Sequence, residues 1–131
     1  MRTAVGSAQP QVQRILVCDD ERHITRSMRT NLERLGHTVV CVNDGDEAVR
    51  LLESLDKGPG QSVFDRIILD EMMPNMNGFE VLKWIRQHEH TRHIWVALMI
   101  PTAQDREVYG RAPYKADAYL IKPFDATDVL K

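Results

Sequence analysis

Four side chains of this sequence could do chemistry together: Asp19, Asp20, Asp70 and Lys122. Each follows an uninterrupted apolar run. Ile15-Leu16-Val17-Cys18 leads into Asp19-Asp20-Glu21, Ile67-Ile68-Leu69 into Asp70, and Ala118-Tyr119-Leu120-Ile121 into Lys122-Pro123-Phe124. Clustered carboxylates raise one another's pKa unless a cation relieves them. A hard divalent ion such as Mg2+, which takes oxygen ligands and keeps several waters, is the natural cation. A lysine adds a point charge for an anion bound beside it. Metal, carboxylate and ammonium together suit a phosphoryl group. Taken singly, an Asp pair before a helix is often just an N-cap, Asp70 could cap a turn, and Lys122 could be a solvated strand end. The recurrence at three run ends is what argues for a site.

The elements that must position these residues follow from periodicity. Short apolar runs at Arg14–Cys18, Thr38–Val42, Ile67–Asp70, Trp95–Ile100 and Ala118–Ile121 read as five strands. They are continuous rather than alternating, the mark of a parallel sheet covered on both faces. Helices alternate with them. Ile24, Met28, Leu32 and Leu35 make one apolar face, closed by Gly36. Ala48, Leu51, Leu52 and Leu55 make a second, with Asp44 and Glu47 spaced as a capping box. Val81, Leu82 and Ile85 make a third, capped by Asn77 and Glu80. The fourth helix, between Ala103 and Ala112, has a poor pattern, with Val108 and Tyr109 its clear apolar residues and Pro113 ending it. The fifth, after Asp125, is short. Parallel strands present their C-terminal ends at one edge, where open α/β sheets gather ligands. If strands one, three and five are neighbours, three carboxylates and an ammonium converge there.

The bulk properties bound the rest. The 131 residues fit one domain, with a flexible tail expected over 1–11 and the folded unit over 12–131. The hydrophobic fraction of 43% and charged fraction of 27% are those of a globular chain. A net charge of −2 gives no footprint for direct nucleic-acid binding. No apolar run would cross a bilayer and no signal-peptide core is present, so a cytoplasmic location is the default. Cys18 and Cys41 lie in apolar runs and read as unpaired thiols. Lys57 to Ser62 reads as a surface loop. His88, His90 and His93 lack the spacing of a ligand pair and read as a solvated helix end. Met72, Met73 and Met76 read as gap-filling loop residues.

The stretches Cys18-Asp19-Asp20-Glu21, Ile68-Leu69-Asp70-Glu71-Met72-Met73-Pro74-Asn75-Met76-Asn77-Gly78-Phe79-Glu80 and Lys122-Pro123-Phe124 together resemble the receiver domain of a two-component response regulator, similar to the chemotaxis regulators. The resemblance runs from about Arg14 to the end. It implies a flavodoxin-like sheet of strand order 2-1-3-4-5 with helices on both faces. Asp70 would accept a phosphoryl group from a histidine kinase, a phosphotransfer protein or a small phosphodonor. Asp20 and Asp70 would ligate Mg2+, with Asp19 acting largely through water and the backbone carbonyl of Met72 a further ligand. Lys122 would pair with the phosphoryl oxygens, and the Lys122–Pro123 peptide would be cis. The output would pass to a downstream effector domain or protein. No external substrate would be turned over; the domain would promote its own phosphorylation and dephosphorylation.

The sequence departs from the family at one place. A Thr or Ser usually ends strand four, and its hydroxyl moves to the phosphoryl group. An ungapped count puts Ile100 there, then Pro101; the nearby hydroxyl is Thr102, before Ala103. The count favours Ile100 over Thr102. Tyr119 matches the aromatic that partners that hydroxyl. A degenerate receiver acting as a phosphorylation-independent interaction module is therefore the alternative reading. An aspartate-nucleophile phosphatase of the haloacid dehalogenase type would want an acid where Met72 stands.

Overall fold

A computed structural model of the chain describes residues 11–56 and 63–130. The loop expected at 57–62 and residues 1–10 of the expected tail lie outside the described residues. Five parallel strands, β1 (Arg14–Cys18), β2 (Thr38–Val42), β3 (Arg66–Asp70), β4 (Trp95–Ile100) and β5 (Ala118–Ile121), form one sheet of order β2-β1-β3-β4-β5. The two acidic strand ends are neighbours, with Cys18 paired to Leu69.

Alternation along the strands splits the core into two layers. Leu16, Cys18, Ile67, Leu69, Val96, Leu98 and Ile100 face α2 (Gly45–Ser54) and α3 (Gly78–Gln87). Ile15, Val17, Ile68, Ala97 and Met99 face α1 (Arg22–Arg34) and a closing 3-10 turn, Ala126–Leu130. Cys18 and Cys41 are both free. Cys41 pairs with Val17 in the ladder and packs on the opposite face from Cys18. No helix among the described residues is long and apolar enough to cross a membrane.

The helix ends carry out the local chemistry of their sequences. Gly36 takes a φ of +98° after α1, and the N–H groups of Gly36 and His37 donate to the carbonyls of Glu33 and Leu32. Asn77 and Glu80 form a reciprocal capping box on α3. At α2, Asp44 accepts from the Glu47 N–H, while the Glu47 carboxylate accepts from Asn43, one residue earlier than a capping box requires. α4 runs Ala103–Gly110, two residues short of the expected Ala112, and buries no residue. The final helix is a 3-10 turn, pinned where Arg66 donates to the Val129 carbonyl at 3.1 Å and lies over Trp95.

The histidine segment differs from expectation. His90 and Thr91 are buried rather than solvated. His90 Nε2 lies 3.3 Å from the Leu52 carbonyl, and the Thr91 hydroxyl donates to the Ile85 carbonyl, so the segment closes α3 against α2. Arg86 fixes the same corner, donating to the carbonyls of Lys115, Arg92 and Ile94 and to Asp117.

Gly78 sets how closely α3 approaches the end of β3. A Cβ there would stand 2.3 Å from the Asp70 carbonyl oxygen and 2.9 Å from Leu98 Cδ1. Backbone cannot give way as a flexible side chain can. Gly78→Ala is expected to cost about 3 kcal/mol, read from the urea midpoint at unchanged m-value.

Candidate functional site

Three strand ends deliver the site. The sharp stop of each apolar run, and the parallel direction of the strands, put Asp19 and Asp20 after β1, Asp70 at the end of β3 and Lys122 after β5 on one edge. One carboxylate oxygen from each aspartate lies within 4.8 Å of the others. Asp19 is fully buried, Asp70 nearly so, and Asp20 is exposed.

Asp19 is completely engaged. Its Oδ2 accepts from Lys122 Nζ at 3.0 Å and its Oδ1 from the Glu21 N–H at 3.0 Å. Its carbonyl accepts from Asn43 Nδ2 at 3.0 Å. Lys122 Nζ also stands 3.5 Å from Asp70 Oδ1 and 4.0 Å from Glu21 Oε1. The Met72 N–H donates to Asp70 Oδ1 at 3.3 Å. The Lys122–Pro123 peptide is cis.

These distances set the electrostatics. Burial, then the negative charge of Asp19, push the Asp70 carboxyl up to about 7, with Lys122 and the Met72 N–H pulling the other way. Burial works against the Lys122 ammonium, but its hydrogen bond to Asp19 and the charges of Asp19 and Asp70 outweigh it and hold its pKa above the usual lysine value. One ammonium against three carboxylates leaves net negative charge in a partly dry site. That imbalance, with oxygen-only donors, fits a hard divalent cation.

Two clefts open onto these residues. The smaller, about 270 Å3, is walled by Asp20, Glu21, Asp70, Met72, Ile100, Pro101 and Lys122. The larger, about 630 Å3, runs from Asp20 past Glu71 and Met72 to Tyr109. Met72 is 67% exposed, so it fills no gap; Met73 is buried.

β4 ends at Ile100, which is fully buried, and Pro101 follows. Thr102 lies beyond the strand as the residue before α4. Its N–H and hydroxyl both donate to Asp105 Oδ2, the hydroxyl at 2.7 Å. Among the walls of the smaller cleft it is Ile100, not Thr102, that the structure places. Tyr119 is half-buried on β5, and its hydroxyl accepts from the Ala116 N–H at 3.3 Å. The sequence reading missed the contribution of Glu71 and Tyr109, which are hydrogen-bonded beside the site. Their separation of 38 residues leaves no local signal for the pairing.

A family model described as the response regulator receiver domain matches residues 15–131. The alkaline phosphatase synthesis transcriptional regulatory protein PhoP of Bacillus subtilis is 37% identical over 120 residues, which is 89% of this chain and 45% of that protein. The chain thus spans about half the length of the curated relatives it matches. Among solved structures, the signal receiver domain of a histidine kinase from Syntrophus aciditrophicus superposes with a TM-score of 0.76 at 28% identity, covering 91% of this chain and 85% of that one. The receiver domain of a Pseudomonas aeruginosa sensor histidine kinase, described with a magnesium ion coordinated in its active site cleft, gives 0.74 at 26% identity, covering 92% and 93%.

Proposed function

Because the chain belongs to the response regulator receiver family, we propose that residues 12–131 are a cytoplasmic phosphoacceptor switch in which Asp70 takes a phosphoryl group from the phosphohistidine of a histidine kinase or phosphotransfer protein. The observation that carries this is the convergence of Asp19, Asp20 and Asp70 with Lys122 at one sheet edge. Asp20, Asp70 and the Met72 carbonyl would hold Mg2+, with Asp19 supporting it through water. When bound, the ion neutralises charge on the carboxylates and on the transferring phosphoryl oxygens.

The chain's own residues do the remaining work. Asp70 is the nucleophile. One of its oxygens forms the new O–P bond as the donor's N–P bond breaks, and the imidazole leaves with the electron pair. The Met72 N–H and Lys122 hold the carboxylate in place before transfer. Lys122 then donates to the phosphoryl oxygens. Positioning and charge neutralisation are most of what phosphoryl transfer requires. No external substrate is turned over. The state of Asp70 is read by an effector domain or protein.

The test is the intact mass after incubation with Mg2+ and acetyl phosphate, or with a cognate phosphorylated kinase. One phosphoryl adduct is expected on the wild-type chain and none on Asp70→Asn. An unmodified wild-type chain under both donors would overturn the reading and leave the phosphorylation-independent interaction module.

A further inference from the structure

α4 is held to the described fold by few contacts. It buries no residue, and Val108 is 63% exposed. Arg106 reaches the Tyr119 carbonyl at 3.2 Å. Tyr109 packs against the core between two other rings: Phe79 of α3, with centroids 5.2 Å apart, and Tyr119 of β5, at 6.4 Å. Its hydroxyl donates to the Glu71 carboxylate. Glu71 directly follows Asp70, and its backbone is fixed at both ends. Its N–H donates to the Met99 carbonyl at 2.9 Å, and its carbonyl accepts from the Gly78 N–H at 3.1 Å. One side chain therefore joins the residue beside the phosphoacceptor to a weakly anchored helix. Meanwhile the end of β4 offers Ile100 to the site, and the Thr102 hydroxyl is committed to Asp105.

We propose that Tyr109 is a positioning residue that ties α4 to the phosphoacceptor loop through Glu71, and that this hydrogen bond, in place of a hydroxyl at the end of β4, carries the state of Asp70 to α4. The inference rests on the phosphoacceptor reading. An aspartyl phosphate carries about −1.5 to −2 charges where the free carboxylate carries about −1, so transfer makes the residue next to Glu71 more negative. Charges closer than a Debye length of about 8 Å are poorly screened. With its backbone held, Glu71 relieves the repulsion by swinging its carboxylate out of the cleft, which releases Tyr109 and loosens α4. A neutral glutamine would accept the same hydrogen bond without being repelled.

Hydrogen exchange of residues 103–110 tests this, in Mg2+ with and without beryllofluoride, a phosphoryl mimic whose binding at Asp70 is followed separately by its fluorine NMR signal. In the wild-type chain the mimic is expected to speed exchange about fivefold or more. Tyr109→Phe should exchange fast without the mimic and change little with it; Glu71→Gln should stay protected in both states. A merely structural Tyr109 would raise the baseline of Tyr109→Phe yet leave the wild-type increment in place, and that result overturns the proposal. So does a wild-type α4 that ignores a bound mimic, or a Glu71→Gln chain that responds like wild type. A wild-type chain that fails to bind the mimic at all overturns the phosphoacceptor reading, and this inference with it.

Discussion

In metal-free buffer, Asp70→Asn is expected to be more stable than the wild-type chain by about 2–4 kcal/mol at pH 8 and by almost nothing at pH 4. The sign follows from burial. An unfolded Asp titrates at about 3.9; folded, Asp70 is pushed up to about 7 by burial and by Asp19. Between those values the folded chain binds the extra proton. The carboxyl therefore costs nothing below about pH 4, progressively destabilises the fold as pH rises toward 7, and carries its full penalty above that. Asparagine removes the penalty while keeping the shape. Urea unfolding of both chains with chelator at pH 4, 6 and 8 checks the growth of the difference. Mg2+ should narrow the gap, because it stabilises a folded site holding Asp70 more than one lacking it. A difference independent of pH would contradict the electrostatic account.

Lys122→Ala should do the reverse to stability and slow the chemistry without abolishing it. It removes the ammonium that pairs with Asp19, a fully buried carboxylate, at 3.0 Å. Breaking a buried pair costs about 3–5 kcal/mol, and because Lys122 is 30% exposed the expected loss is nearer 2–3 kcal/mol. Phosphorylation by acetyl phosphate should slow by about 10²–10³-fold, the usual effect of removing one preorganised donor from a developing charge. Mg2+ should restore much of the lost stability, since a divalent ion also neutralises the aspartates, but little of the rate, since it replaces no donor at the phosphoryl oxygens. The readouts are denaturant unfolding with and without Mg2+ and the time course of the mass adduct. Full recovery of the rate at high Mg2+ would contradict a direct role for Lys122. Asp70→Asn and Lys122→Ala share a contact at 3.5 Å, so their effects on stability should not add.

Much of this architecture was legible because it is written locally. Five continuous apolar runs specify strands buried on both faces, and each ends where its charge begins. Gly36, Asn77 and Glu80 punctuate the helices through hydrogen bonds that span three to five residues. A strand end followed by an acid is visible at Asp20 and Asp70, and a strand end followed by a lysine at Lys122, so the composition of the candidate site could be named before its shape was known.

What the tertiary structure alone decided is where contacts join distant residues. Whether Ile100 or Thr102 walls the cleft depends on where β4 stops, and that is set by its ladder with β3 and β5 rather than by its own residues. His90 looks like any polar residue at a helix end until α2 supplies the Leu52 carbonyl from 38 residues away. Tyr109 sits in a helix of poor pattern because its partners, Phe79, Tyr119 and Glu71, come from three other segments. Sequence periodicity reports which face of an element is apolar; it carries no record of which element that face will meet. The chain by itself therefore determined the sheet, its charged edge and the identity of Asp70. Long-range packing decided how buried Asp70 is and which side chains surround it.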